Sequence, residues 1–71
     1  MEKHELKTPA QILLEALRRE QEAYDFYTGL VPHCHVSFVR ELLERLKDEE
    51  SKHLHLVQDM MIRLDLGKDV L

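Results

Sequence analysis

Apolar positions recur at steps of four and three along two stretches of this chain, and in both the stripe is interrupted near its middle by an acid. The first stretch carries Leu13, Leu17, Glu20, Tyr24, Tyr27 and Val31; the second carries Val39, Leu43, Leu46, Glu50, His53, Val57, Met60 and Leu64. That spacing puts every member of a set on one side of an α-helix. The pattern therefore predicts two helices, over about 9–29 and 37–66, and no strand. Thr8-Pro9-Ala10-Gln11 supplies the first start: Thr as N-cap, Pro at the first helical position and Gln three after the cap. Gly29 and Pro32 are stop signals, and Val31 to Val36 is a connection of the length that joins antiparallel helices. Ser37 is the expected second N-cap and Gly67 the expected second stop.

The apolar side of the second helix is wider than one neighbour can cover. Besides the stripe it takes in Phe38, Leu42, Leu54, Leu56 and Met61, about 160° of the helical wheel. Leu14 and Phe26 fall outside the first stripe and are free to meet further neighbours. A lone hairpin would leave half of the wide side wet, so the expected architecture is all-α: an antiparallel two-helix hairpin that dimerises into a four-helix bundle. The 71 residues form a single domain, and at this size one core rarely supplies more than about 3–5 kcal/mol, which also favours self-association or bound metal.

Charge and cysteine content narrow the function. Ten basic and fourteen acidic side chains give a formal charge of −4, with the basic ones scattered rather than gathered, so nucleic acid is not an expected partner. No apolar run approaches a membrane span, and the polar start Met1-Glu2-Lys3-His4-Glu5 has no signal-peptide core. Cys34 is the single cysteine, which suits a reducing cytoplasm and excludes a disulfide within the chain.

Candidate chemistry lies where the stripes are broken. Removing a carboxylate from water costs several kcal/mol unless a cation compensates, and here Glu20, Glu50 and His53 all occupy core positions. Counted from a turn near residue 33, Glu20 and Glu50 differ by about one helical turn, so the three side chains are expected to approach one another at mid-bundle. A two-fold axis doubles them to four Glu and two His, the set with which helix bundles hold two iron or manganese ions. Two divalent ions would balance four carboxylates. Glu49 competes with Glu50, since it stands four residues before His53 and on the other margin of the same side. Tyr24 and Tyr27 read as core aromatics. His33-Cys34-His35 is a weak metal motif because three adjacent loop residues rarely converge on one ion, and His55 points away from the stripe.

The stretches Glu20-Gln21-Glu22-Ala23-Tyr24-Asp25-Phe26-Tyr27 and Leu46-Lys47-Asp48-Glu49-Glu50-Ser51-Lys52-His53 resemble the ferritin-like superfamily. They are similar to the Glu-x6-Tyr and Leu-x3-Glu-x-x-His signatures of rubrerythrins and, more closely, of encapsulated ferritins, over roughly residues 10 to 64. The resemblance implies a ferroxidase-type protein that oxidises Fe(II) to Fe(III) for storage or detoxification. Its centre of two iron ions per dimer would be held by Glu20, Glu50 and His53 from each of two protomers, with Glu50 favoured over Glu49. Tyr27 would stand behind the ligands, and Tyr24 and Glu49 are neighbouring candidates for that supporting role. The resemblance also adds an encapsulin shell as partner, which would place this cytoplasmic protein inside an encapsulin compartment. The chain has no Cys-x-x-Cys and thus no rubredoxin-type electron donor of its own. The alternative functions are a rubrerythrin-like peroxide reductase module and a non-catalytic helical assembly module that binds zinc, calcium or no metal.

Overall fold

The computed structural model describes residues 7–70, with side chains placed through Asp65. It is an all-α antiparallel hairpin: α1 spans Pro9–Leu30, a 3-10 turn covers Val31–His33, and α2 spans Ser37–Val70. The start of α1 is a complete capping box. The Gln11 backbone N–H donates to Thr8 Oγ1 at 3.1 Å and the Thr8 N–H donates to Gln11 Oε1 at 2.8 Å, so two backbone donors that a helix start leaves unpaired are satisfied reciprocally.

The stop signals act differently from expectation. No glycine among the described residues adopts positive φ, so Gly29 is an ordinary helical residue and α1 runs one residue past it. What ends the helix is Pro32, which offers no N–H to the preceding turn; the chain tightens into the 3-10 turn, closed by the Cys34 N–H on the Val31 carbonyl at 3.2 Å. Gly67 likewise fails to stop α2, which continues to Val70. A glycine ends a helix by turning left-handed, and one held in helical geometry only weakens it, by about 1 kcal/mol. The second N-cap also moves by one residue. The Val36 carbonyl accepts from Val39 at 3.1 Å and Arg40 at 2.9 Å, which makes Val36 the cap and Ser37 the first helical residue. Arg40 Nε reaches back to the Cys34 carbonyl at 3.1 Å and ties α2 to the tip.

Because Gly29 is helical and a Cβ there would meet nothing within 4 Å, Gly29→Ala is expected to stabilise the protein by roughly 0.5–1 kcal/mol through lost freedom of the unfolded chain. Thermal melts monitored by circular dichroism would show this as a rise of a few degrees; a lowered midpoint would contradict the helical assignment at this position.

Packing between the helices uses Leu13, Leu17, Tyr24 and Tyr27 of α1 and Val31 of the 3-10 turn against Val39, Leu43, Leu46, Leu54, Val57, Met61 and Leu64 of α2, all half-buried. Met60, expected in this seam, is instead 45% exposed, and Leu54 and Met61 take part in its place. The α1 helix therefore sits to one side of the wide apolar stripe and leaves the other side bare. None of the described side chains is fully buried. The hairpin is a slab 52 × 35 × 13 Å, one helix thick, in which every described side chain has solvent nearby.

The bare side forms a continuous surface. Ile12 and Leu13 of α1 line one groove with Met60, Arg63 and Leu64 of α2, so Ile12 and Met60 share a face of the slab. On the helical wheel Phe38, Leu42, Leu56 and Met60 all lie within about 60° of His53, and Ile12 and Leu30 within about 80° of Glu20. These six side chains are exposed, Phe38 at 74% and Leu56 at 66%. Leu14 and Phe26, which the first stripe left out, are exposed elsewhere on α1; Phe26 packs edge-on against Tyr27 with ring centroids 5.3 Å apart. Neither described helix is long and apolar enough to cross a membrane.

Candidate metal centre

Glu20 stands near the middle of α1, and Glu50 and His53 stand one turn apart on the facing stretch of α2. The antiparallel pairing brings all three together. Nδ1 of His53 lies 3.2 Å from Glu20 Oε1 and 3.2 Å from Glu50 Oε1, and one donor atom from each residue can be chosen so that all lie within 4.8 Å of one another. Both carboxylates are half-buried, with Glu50 the more enclosed, whereas the His53 side chain is 47% exposed. The cluster thus opens onto the bare apolar face, with His53 at its outer edge.

Its electrostatics are those of a ring clamped by two acids. When Nδ1 carries a hydrogen it is shared between the Glu20 and Glu50 carboxylates, and these contacts, Glu20 first, raise the His53 pKa above its ordinary 6.5. The two acids also contact each other, and their affinities for a proton separate. Glu50 is raised, first by its hydrogen bond to Glu20 and then by loss of solvent; Glu20 is lowered, first by accepting that bond and then, against some desolvation, by His53. Their proton affinities therefore belong to the pair and not to either acid alone.

The remaining candidates lie apart from this cluster. Glu49 is exposed on the bare side of α2, about 40° round the wheel from His53, with its carboxylate 3.8 Å from Lys52. Tyr24 and Tyr27 are half-buried in the helix seam, and among the described residues neither hydrogen-bonds to Glu20, Glu50 or His53. The motif at the tip does not converge: Cys34 Sγ faces the Val36 carbonyl at 3.6 Å, and the Glu20, Glu50 and His53 group is the one set of three metal-binding side chains among the described residues. His55 is exposed. No residue outside the sequence-derived set joins the cluster among the described residues.

The donor set suits a hard or borderline divalent ion. Two carboxylates and an imidazole offer oxygen and nitrogen ligands of the type that iron, manganese and zinc accept, with no thiolate to select a softer metal. One chain supplies three donors from one side, and an ion of higher coordination number needs further donors from the open side. Comparisons with protein-family models, curated proteins and solved structures find no match.

Proposed function

We propose that this protein is a ferroxidase-type iron protein whose site is completed by a second copy of the chain, the two hairpins packing as a ferritin-like four-helix bundle. One observation carries the reading: donor atoms of Glu20, Glu50 and His53, drawn from two helices, lie within 4.8 Å of one another in the middle of an exposed apolar face. Carboxylates in such a face are unfavourable once water is removed, and divalent cations offset them. Two copies present four carboxylates, whose −4 matches the +4 of two ferrous ions.

In this reading Fe(II) is the substrate. Glu20 and Glu50 hold the ions by charge and draw them from water, and oxygen donors favour the ferric product over the ferrous reactant. His53 contributes Nδ1, the ring nitrogen already turned to the carboxylates, once that nitrogen has no hydrogen. Two ferrous ions give up one electron each; dioxygen takes both electrons with two protons from solvent and leaves as hydrogen peroxide.

Anaerobic titration with Fe(II) followed by admission of air tests the proposal. Saturation at one ion per chain and growth of a ferric near-ultraviolet band are expected. Binding with no oxygen consumption would leave a non-catalytic metal-binding module, and failure to bind would reduce the cluster to a polar network between helices. Oxidation by hydrogen peroxide sustained by an added reductant, with none by dioxygen, would favour the peroxide reductase reading.

A further inference from the structure

The chain enters α1 from its outer side, and the charges on that side complement those of the residues that precede the helix. Lys7, the residue before the Thr8 cap, pairs its ammonium with the carboxylate of Glu15. Glu15 lies about 160° round the helical wheel from Leu13, which packs against α2, so this ion pair draws the entering chain away from the second helix. Arg18 and Glu22 stand on the same outer face, about 140° and 180° from Leu13, and pair with each other at 2.9 Å. From the cap upward, that face carries minus, plus, minus. Backward from Lys7, alternate residues carry plus, minus, plus: Lys7, Glu5 and Lys3. Alternate residues of an extended segment project to one side, so these three act together. An extended chain spans about 13 Å from Lys7 back to Lys3, and the helix rises about 10 Å from Glu15 to Glu22, a difference that long side chains absorb. From this register we infer that residues 1–6, which precede the described residues, strap the outer face of α1 and run antiparallel to it, with Glu5 against Arg18 and Lys3 against Glu22.

An apolar contact accompanies the charges. Beside Arg18 lies a groove of about 660 Å³ whose floor includes Leu14, Leu17 and Gln21. Every described residue lining it belongs to α1, and Leu14 is 59% exposed there. A convex helix closes no groove alone, so the far wall falls to the segment that Lys7 brings alongside. His4 and Leu6 alternate with the charged residues and project to the other edge of the strap, which sets Leu6 against Leu14. Single exposed ion pairs contribute little, whereas several held on one strap and joined by an apolar contact form a network. The groove at Ile12 and Met60 suits the segment less well, since Arg63 is its one charged residue and offers nothing to Lys3 or Lys7. The strap uses no metal and leaves the bare face open. It therefore stands or falls independently of the iron reading.

Nuclear magnetic resonance of the full, unmodified chain in chelator tests the strap. Nuclear Overhauser contacts from the Leu6 methyl groups to those of Leu14 are expected. Contacts from Leu6 to Ile12, Met60 or Ile62 instead, or none beyond its neighbours in sequence, overturn the proposal. Mixing isotope-labelled with unlabelled chains separates contacts within a molecule from those between molecules; a contact found only between molecules overturns it as well. The charge register is tested by the exchange Lys3→Glu with Glu5→Lys, which keeps composition and net charge and inverts the order of the charges. The ratio of docked to undocked strap, read from the Leu6 to Leu14 contact, is expected to fall roughly three- to tenfold. Lys7→Gln, which removes the anchor on Glu15, is expected to act in the same direction. An undiminished contact in the exchanged chain overturns the register and the strap with it. Far-ultraviolet circular dichroism of each variant confirms that the helices being compared are intact.

Discussion

Alanine in place of Glu20, Glu50 or His53 is expected to lower the rate of rapid Fe(II) oxidation by more than about 100-fold, while His33→Ala and His55→Ala leave it within about twofold of the parent. The contrast follows from symmetry. In a site shared across a two-fold axis each substitution removes two donors at once, so the four Glu and two His fall by a third in every variant and no spare ligand remains. His33 lies in the tip and His55 on an exposed part of α2, neither within the converging group. Glu49→Ala is the sharpest control, because Glu49 neighbours Glu50 in sequence yet sits exposed beside Lys52. Stopped-flow absorbance of the ferric product after mixing ferrous protein with air-saturated buffer gives the rates. Parental oxidation by Glu50→Ala with loss in Glu49→Ala would falsify the ligand assignment.

Acid should separate the metal-bound protein from the metal-free one, in opposite directions. A metal displaces the proton from His53 Nδ1, and the His53 pKa is raised above 6.5 by Glu20 and Glu50. Below that raised value each pH unit weakens binding about tenfold, so between pH 7.5 and 5 affinity for manganese is expected to fall more than about 30-fold from His53 alone. Glu50, also raised, adds to the loss at the acidic end. Without metal the sign reverses. The contact between protonated His53 and the two carboxylates stabilises the fold fully below pH 6.5 and is lost as pH rises through the raised folded-state value. Glu50 acts in the same sense at lower pH, present below 4.5 and lost as pH rises through its raised value. Glu20, lowered, contributes above 4.5 and is lost as pH falls through its depressed value. Melting curves at several pH values, in chelator and in manganese, should therefore diverge as pH rises from 5 to 7.5. An affinity flat across that range would remove His53 from the ligand set.

The sequence carried the hairpin because its signals agree at several levels. The Thr8 capping box, the four-three stripes and the short connection each act locally, and the structure has nothing that overrides them. The glycines misled because their effect depends on backbone conformation rather than identity. Gly29 and Gly67 are helical where a left-handed turn would have stopped the chain. The exposure of Met60 was not legible either: periodicity defines the apolar side of α2, whereas the position of α1 across that side depends on packing of both helices. The same reasoning explains Glu49 and Glu50. Their wheel positions straddle the stripe, and only the placement of α1 makes Glu50 the one facing Glu20. The approach of Glu20 to His53 could be read in advance because a short connection leaves little freedom in the register of two antiparallel helices.

That connection also has a kinetic consequence. Residues 31–36 join two helices in which most contacts lie within a helix, and chains dominated by such local contacts reach their folded state in microseconds to milliseconds. Joining two complete hairpins requires a diffusive encounter, commonly at 10⁵–10⁷ M⁻¹s⁻¹, so at micromolar concentration it is the slower event. A newly made chain would accordingly exist first as an open half-site, and the time needed to complete the proposed centre would be set by how many copies are nearby rather than by how fast any one of them folds.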